Sequence, residues 1–198
     1  MTSLQLWPMP VLFEKGYTTN GDTTFEIRCH DRFFRGAVVC NENGETIFAI
    51  EAKEPFTSWS VRRSLKDASG RHVWDLRHYK SKIKAWVVED PDGREICTIE
   101  ENHSAKPFTA ATALVPVDKG HVTISMESTD SSGIKTLFLI EGAPVAEMHL
   151  TENNDKAFLH RRNLDRTVWK LRVTKGTDIA LILGLAFCRA EISHAWRR

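Results

Sequence analysis

The residues best suited to binding chemistry are the lysines of the stretch Lys80-Ser-Lys-Ile-Lys-Ala-Trp-Val-Val88. Side chains on a β-strand alternate between two faces, so the apolar residues would share one face and the basic ones the other: Ile83, Ala85 and Val87 against Lys80, Lys82, Lys84 and Trp86. If the apolar face points inward, three ammonium groups and an indole line the outside of the protein. Arg77 is near enough in sequence to join them.

This basic face predicts a contact for anionic phospholipid, phosphoinositide or an acidic protein partner. Near an anionic membrane leaflet each such charge contributes roughly 1 kcal/mol. Four charges therefore give about 4 kcal/mol, which corresponds to millimolar affinity, and specific headgroup contacts are needed for more. The alternative is a solvated strand face whose lysines prevent edge-to-edge pairing.

A second basic run, His160-Arg-Arg-Asn-Leu-Asp-Arg166, has the composition of a loop and is partly neutralised by its own aspartate. It predicts an exposed surface or an anion contact. The formal net charge of +1 gives no bulk attraction to nucleic acid. Aromatic and basic residues also do not interleave as they do on single-strand-binding surfaces, so nucleic-acid binding is not favoured.

Catalytic and metal-binding motifs are absent from the sequence. The eight histidines show no ligand spacing, and there is no G-x-S-x-G, no H-E-x-x-H and no phosphate-binding glycine loop. Asp90 and Asp92 belong to a turn and are expected in solvent. The sequence predicts no metal, no cofactor and no enzymatic activity, although a catalytic triad can assemble from distant strands. The cysteines have no C-x-x-C pairing and are typical of free thiols in a reducing compartment: Cys29, Cys40, Cys97 and Cys188.

The element that must position everything else lies near the end of the chain. Residues 179–188 contain no polar side chain, and a helix that is apolar all round is buried or spans a membrane. Spanning takes about 20 apolar residues, roughly double this run, which Arg189 and Glu191 close. We therefore expect a core helix, capped by Thr177 or Asp178, that continues amphipathically through residues 192–196.

Before that helix the apolar segments are short and bounded by turn signals, which is typical of strands. Three hairpins share an Asx-x-x-Gly turn, at residues 41–44, 67–70 and 90–93. A fourth turns at 141–144, and strand-like runs cover 122–126 and 168–173. About ten to twelve strands result, and so long a meander must curl or close to hide its edges. The sequence predicts a mainly β fold, a closed antiparallel β-barrel of about twelve strands enclosing the hydrophobic C-terminal helix.

Three motifs resemble the LURP-one-related family, which belongs with the Tubby C-terminal-like and phospholipid-scramblase-like proteins. The first is Phe34-x-x-x-Val-Val-x-Asn-Glu-Asn-Gly-Glu-x-Ile-Phe-x-Ile50, the second Leu65-x-Asp-Ala-Ser-Gly-x-x-Val-x-x-Leu76, and the third Val173-x-x-Gly-Thr-Asp-x-Ala-Leu-Ile-Leu183. The likeness covers residues 11–192. It implies a twelve-stranded barrel around a central C-terminal helix, the same architecture that the periodicity predicts.

The resemblance also suggests a lipid-facing role. Tubby domains bind phosphatidylinositol bisphosphate through a Lys-x-Arg, and the matching residues here are Asp75-Leu-Arg77. Arg77 fits this pattern, but Asp75 takes the place of the lysine and would repel a phosphate. The palmitoylated cysteine cluster and the calcium segment of scramblase-like proteins have no counterpart in this sequence.

These observations predict a single domain over residues 1–198, with its core at about 11–192. No signal peptide or transmembrane segment is evident, so we expect a cytoplasmic protein, and a membrane-peripheral or nuclear location is consistent with that. The predicted function is a non-enzymatic binding module that associates with phospholipid through Arg77, Lys80, Lys82 and Lys84. The alternatives are an enzyme or small-ligand protein with a pocket at the barrel rim, and a protein-interaction scaffold.

Overall fold

The computed structural model of the protein describes residues 4, 15–30, 36–52, 62–79, 85–102, 109–118, 120–130, 134–154 and 165–195, with no side chains for 15, 109, 110 and 193–195. This part of the chain forms twelve strands, one α-helix and a short 3-10 turn at Lys15–Tyr17. In chain order the elements are β1 Thr23–Cys29, β2 Gly36–Cys40, β3 Thr46–Ala52, β4 Arg63–Asp67, β5 His72–His78, β6 Ala85–Glu89, β7 Glu95–Glu101, β8 Thr109–Val117, β9 Gly120–Ser128, β10 Lys135–Ile140, β11 Ala143–Asn153, β12 Thr167–Val173 and α1 Ile179–Ala195.

The strands form a closed antiparallel barrel, as predicted. Each strand pairs with its neighbours in sequence, and β1 closes the barrel against β12, with Thr23 opposite Val173 and Cys29 opposite Thr167. The four hairpin turns occur where the sequence indicates them. Gly44, Gly70 and Gly93 have φ near +80° in the three Asx-x-x-Gly turns, a conformation that glycine adopts without steric cost.

Two strands, β1 and β8, lie outside the strand-like runs that the sequence indicates. β8 has the sequence Thr-Ala-Ala-Thr-Ala-Leu-Val-Pro-Val, in which alanine and proline are poor indicators of a strand. Pro116 is tolerated because β7 pairs with β8 only as far as Leu114. Beyond that point β8 pairs on one side alone, with β9, so the missing N–H of Pro116 breaks no ladder.

The helix α1 occupies the barrel interior, as the sequence predicts. The side chains of residues 179–188 are all buried. Asp178 caps the helix, since its Oδ1 accepts a hydrogen bond from the N–H of Leu181 at 3.1 Å. The indole of Trp74 on β5 donates to the carbonyl oxygen of Ala180 at 2.8 Å, which fixes the first turn of α1 to the wall. In the described part of the chain, no helix is long and apolar enough to cross a membrane.

The predicted amphipathic continuation of α1 is only partly present. Glu191 is partly exposed, but Arg189 is 4% exposed and its Nε donates to Oγ1 of Thr136 at 3.0 Å. The barrel therefore encloses α1 at least to Ile192, which is also buried. A guanidinium can enter this interior because a wall hydroxyl accepts its hydrogen bond.

The two ends of the barrel differ. At one end, which we call the turn end, the connections are two to five residues long, and the chain passes from β12 into α1. At the other end, the loop end, the connections between consecutive strands are six to thirteen residues long, and α1 terminates there. Long connections on a rigid scaffold are where binding residues concentrate, so the loop end is where we expect function.

The turn end is closed by the segment before β1. Thr19 donates its N–H to the carbonyl of Thr177 at 3.0 Å and accepts from the N–H of Gly176 at 2.8 Å. The hydroxyl of Tyr17 donates to Asp67 at 2.9 Å, and its ring lies 5.5 Å from the ring of Phe48. This segment secures the start of α1 and leaves the loop end as the wider face of the barrel.

The enclosure of α1 can be tested at Gly184. A Cβ at this position would lie 3.3 Å from Cγ2 of Val88 and 3.8 Å from the indole of Trp74. We expect Gly184→Val to lower the free energy of unfolding by about 1–3 kcal/mol, the usual cost of overpacking a core, as measured by urea denaturation. The control is Gly21→Val, because nothing lies within 4 Å of a Cβ at Gly21. Equal stability of the two variants would show that the wall does not contact this face of α1.

Candidate functional site

Arg77 lies on the outer face of β5 in an ion pair. Its Nε donates to Oε2 of Glu89 at 3.0 Å, and its NH2 forms a second, very short contact with Oε1 of the same carboxylate. The hydrogen bond to Glu89 raises the pKa of Arg77 above its ordinary value. The side chain of Arg77 is 19% exposed, so its charge is already neutralised by a near-neighbour on β6.

Asp75 and Glu89 extend this pair into an outer polar network, which we define as Arg62, Asp75, Arg77 and Glu89. Arg62 bridges the two carboxylates, at 3.1 Å from Oδ2 of Asp75 and 3.2 Å from Oε2 of Glu89. Asp75 also accepts hydrogen bonds from Ser64 at 2.5 Å and contacts Nε2 of His72 at 2.9 Å. Both carboxylates are less than 10% exposed. Two arginines thus balance two acids, and the network holds β4, β5 and β6 together.

Lys80, Lys82 and Lys84 lie outside the described residues, as does Ile83. The structure does fix both ends of their connection, because the N–H of Tyr79 donates to the carbonyl of Ala85 at 2.8 Å. β5 ends and β6 begins at the loop end of the barrel, so the connection that carries the three lysines starts and finishes there.

The prediction that Trp86 faces outward is wrong. Trp86 is 3% exposed, and its indole donates to Oε2 of Glu191 on α1 at 3.3 Å. Val88, two residues on, also contacts α1, so Ala85 and Val87 occupy the opposite, outer face of β6. The assignment was reversed because every residue from 85 to 88 is apolar, and alternation alone then does not indicate which face meets the core.

At the loop end an inner polar cluster joins the end of α1 to the wall; we define it as Arg63, His78, Trp86 and Glu191. Arg63, on β4, is 2% exposed and donates to both carboxylate oxygens of Glu191, at 2.8 and 3.1 Å. Nε2 of His78 lies 3.4 Å from Oε1 of Glu191, and its ring centroid is 5.0 Å from that of Trp86. A bidentate guanidinium–carboxylate pair is the strongest form of ion pair in proteins.

The inner polar cluster shifts the pKa of Glu191. Desolvation raises that pKa, but the contact with His78 and the charge and hydrogen bonds of Arg63 lower it by more, to about 2. Glu191 therefore remains a carboxylate throughout the physiological range. Its oxygens are occupied by three donors, so the cluster stabilises the helix end and offers no free acid or base for proton transfer.

Reactive groups are scarce in the described part of the chain. The four cysteines are buried and form no disulfide. Burial raises the pKa of Cys97 to about 12 and that of Cys188 well above its ordinary value, so both thiols are protonated and poorly nucleophilic. Among the residues described, no three His, Cys, Asp or Glu side chains are grouped to hold a metal ion.

A rim groove of about 500 Å³ lies on the outer wall near the turn end, where β2 turns away from β1. Its lining is mostly polar and carries both signs of charge: Thr24, Phe25, Glu26, Arg28, Cys40, Asn41, Glu42, Asn43, Gly44 and Lys170. The N–H of Thr24 donates to Oε1 of Glu42 at 3.1 Å where no strand covers it. No sequence motif indicates this groove, because it forms only where β1, β12 and the β2–β3 turn meet.

Comparison with known proteins shows to which family the chain is related. The sequence model of the family described as LURP-one-related matches residues 23–190, from the start of β1 almost to the end of the buried part of α1. The chain belongs to the LURP-one-related family. A crystal structure of a protein from Arabidopsis thaliana superposes with a TM-score of 0.61 at 17% sequence identity, covering 90% of this chain and 96% of that one. No curated protein matches the sequence significantly.

For this LURP-one-related chain, the match spans all twelve strands of the barrel. At 17% identity the Arabidopsis structure supports the fold alone. Neither comparison indicates a ligand, so functional arguments rest on the surfaces of this chain.

The inner polar cluster predicts a specific acid sensitivity. Because the folded-state pKa of Glu191 lies below its unfolded value, its contribution to stability is full above about pH 5 and is lost as the pH falls towards 2. A drop from the ordinary 4.5 to about 2 corresponds to about 3 kcal/mol. We expect Glu191→Gln to be less stable at neutral pH, since it leaves Arg63 buried without its anion, and to lose about 3 kcal/mol less than the wild type between pH 5 and pH 2 in urea titrations.

The control for this titration is Glu51→Gln, since Glu51 is 63% exposed and pairs only with the surface residue Lys66. Its pH profile should follow that of the wild type. Parallel profiles for Glu191→Gln and wild type would show that Arg63 and His78 do not hold the carboxylate in solution.

Proposed function

We propose that this protein is a non-enzymatic binding module whose loop end contacts anionic phospholipid, phosphoinositides included, through Lys80, Lys82 and Lys84. Arg77, at the base of the same connection, has a positioning role. The observation that carries the proposal is the polarity of the barrel, because every long strand-to-strand connection lies at one end. The lysine-bearing connection is one of these.

The outer polar network supports this assignment of roles. Arg77 is held by Glu89, and Asp75 is held by Arg62, so the two residues at the end of β5 neutralise their own neighbours. They neither repel nor attract a phosphate strongly. Within this connection, the charge available to a membrane therefore comes from the three lysines, which lie in sequence between the hydrogen-bonded residues Tyr79 and Ala85.

The strength of the contact follows from its charge. Three lysines near an anionic leaflet contribute roughly 3 kcal/mol, which alone corresponds to an affinity weaker than millimolar. A single barrel would thus bind membranes weakly and reversibly, and more strongly where several headgroup charges are concentrated. Binding should weaken as the salt concentration rises, since the Debye length shortens to about 8 Å at physiological ionic strength.

We expect the combined charge reversal Lys80→Glu, Lys82→Glu and Lys84→Glu to abolish sedimentation with vesicles that contain a phosphoinositide or phosphatidylserine. The melting temperature should stay unchanged, because the substitutions fall between strands rather than within the barrel wall. The measurement is co-sedimentation at low and physiological salt, with phosphatidylcholine vesicles as the neutral reference.

The matched control is Lys66→Glu, Arg94→Glu and Lys175→Glu, which changes the net charge by the same amount. Arg94 and Lys175 are exposed, the side chain of Lys66 is 39% exposed, and all three residues lie at or near the turn end. The control variant should bind like the wild type. Equal binding by the two triple variants, or no binding by the wild type, would contradict the proposal.

A second candidate function is small-ligand binding in the rim groove. Its volume of about 500 Å³ lies within the 300–1,000 Å³ typical of ligand sites. Its lining includes Glu26 and Glu42 as well as Arg28 and Lys170, which suits a zwitterionic molecule. Its open, polar lining is less favourable, since most ligand pockets are largely apolar, and we therefore rank this function second.

This second candidate is tested by a thermal-shift screen of zwitterionic metabolites. A ligand of the groove raises the melting temperature by mass action. Thr24→Trp, which fills the groove from β1, should remove the shift, while the loop-end lysine variant should keep it. A shift that Thr24→Trp does not reduce would place the ligand elsewhere.

A further inference from the structure

Three basic side chains stand in one row across the outer wall on the side of the barrel opposite β5 and β6. Lys135 on β10 is directly opposite His149 on β11, and His149 is directly opposite Lys170 on β12. All three residues alternate with buried neighbours, namely Thr136, Met148 and Leu171, so they point outward. We call Lys135, His149 and Lys170 the basic row.

Side chains directly opposite one another on neighbouring strands have Cβ atoms about 4.5–5.5 Å apart, and like charges in that arrangement are destabilising. The row is therefore unfavourable when His149 is protonated. Residues 135, 149 and 170 lie on three different strands, and no local sequence motif groups them. Only the register of the barrel brings them together.

Of the side chains described, four charged ones lie beside His149 on its own strand and on the two neighbouring strands. Lys135 faces it from β10 and binds Glu147 at 2.5 Å. Glu147 is its outward neighbour on β11, while Lys170 and Arg172 lie on β12. Desolvation lowers the pKa of His149, and Lys170 and Lys135 lower it further against the attraction of Glu147. At neutral pH the imidazole is therefore largely uncharged.

Lys170 is the exposed member of the row. The residue opposite it on β1 is Glu26, whose carboxylate binds Nε of Arg28 at 2.6 Å. Within the described ranges, Lys170 has no ion pair of its own. An incoming anion can thus bind its ammonium group without displacing a carboxylate of the protein.

We propose that the basic row is a second anion-binding site, that its ligand is a phosphodiester group such as a phospholipid headgroup carries, and that protonation of His149 strengthens the binding. This site is distinct from the loop-end lysines, so the two proposals can fail independently. At neighbouring positions on a rigid wall, Lys170 supplies a permanent positive charge, Lys135 a second one that its ion pair with Glu147 partly balances, and His149 a conditional one.

The direction of the pH effect follows from linkage. A bound anion favours the charged imidazolium, so it raises the pKa of His149, and binding takes up a proton. Affinity is constant above the bound-state pKa, rises as the pH falls through it, and becomes constant again below the free-state pKa. A rise of one pKa unit on binding corresponds to a tenfold gain in affinity.

The test measures binding to phosphatidylglycerol vesicles between pH 8 and pH 5, because a phosphodiester keeps the same charge over that range. We expect wild-type affinity to rise several-fold to tenfold as the pH falls. His149→Gln should bind with the same affinity at pH 8 and no rise, His149→Arg should bind tightly at both values, and Lys170→Gln should bind more weakly throughout. The control, His121→Gln, changes an exposed histidine on β9 near the turn end and should retain the rise.

A second readout identifies the source of the phosphodiester. The pKa of His149 is measured by NMR with dimethyl phosphate and with phosphatidylglycerol nanodiscs. A rise with dimethyl phosphate shows recognition of the isolated group, and a rise with nanodiscs alone shows recognition of a lipid surface. An unchanged pKa with both, or a rise in vesicle affinity that persists in His149→Gln, would overturn the proposal.

The two proposed sites are separated by the loop-end variant Lys80→Glu, Lys82→Glu and Lys84→Glu. Its residual binding at pH 5 should disappear when His149→Gln is added. If the loop-end variant eliminates binding at pH 8 and pH 5 alike, the basic row is wrong and the loop-end proposal stands. If that variant binds like the wild type while His149→Gln removes the pH dependence, the loop-end proposal is wrong and the basic-row proposal stands.

Discussion

The whole structure depends on the need to bury a helix that has no polar face. Residues 179–188 of α1 offer water nothing but apolar surface, and burying such side chains contributes roughly 1.5–3 kcal/mol each. A single sheet would leave half of the helix exposed. Twelve antiparallel strands closed around it leave none, and the closure also removes the strand edges that promote aggregation. Barrel and helix thus each remove the other's unfavourable surface.

Enclosing a helix creates a difficulty where polar residues enter the wall. Arg63, Arg189 and Glu191 lie at or near the loop end, and each is matched by a partner from another element. A guanidinium without its partner would carry a large desolvation penalty. These pairs connect the C-terminal part of α1 to the wall, and α1 is buried at least as far as Ile192. These ion pairs and hydrogen bonds stabilise the barrel, although the same residue types also occur in catalytic sites.

The proposed binding sites therefore lie on the outside of the barrel. The barrel interior is occupied by α1, and the proposed binding surfaces are a groove, a loop end and a row of side chains on the exterior. The outer polar network shows that charges on this exterior are mostly balanced between adjacent strands. The basic row is an exception, because strand register aligns three basic side chains in it. The loop-end lysines lie in a connection rather than on a strand. The proposed function, a weak and reversible association with charged surfaces, is consistent with such an exterior.

The sequence by itself determined the buried helix, a cap at Thr177 or Asp178, the hairpin turns and hence the closed barrel, because each depends on residues close together in the chain. It did not determine which face of β6 is inside, since residues 85–88 are apolar on both faces and Trp86 could be placed either way. The pairing of Arg77 with Glu89, of Arg63 with Glu191, and the alignment of Lys135, His149 and Lys170 were decided only by strand register. Strand register brings together residues from distant parts of the chain, and no local sequence pattern specifies which of them become neighbours.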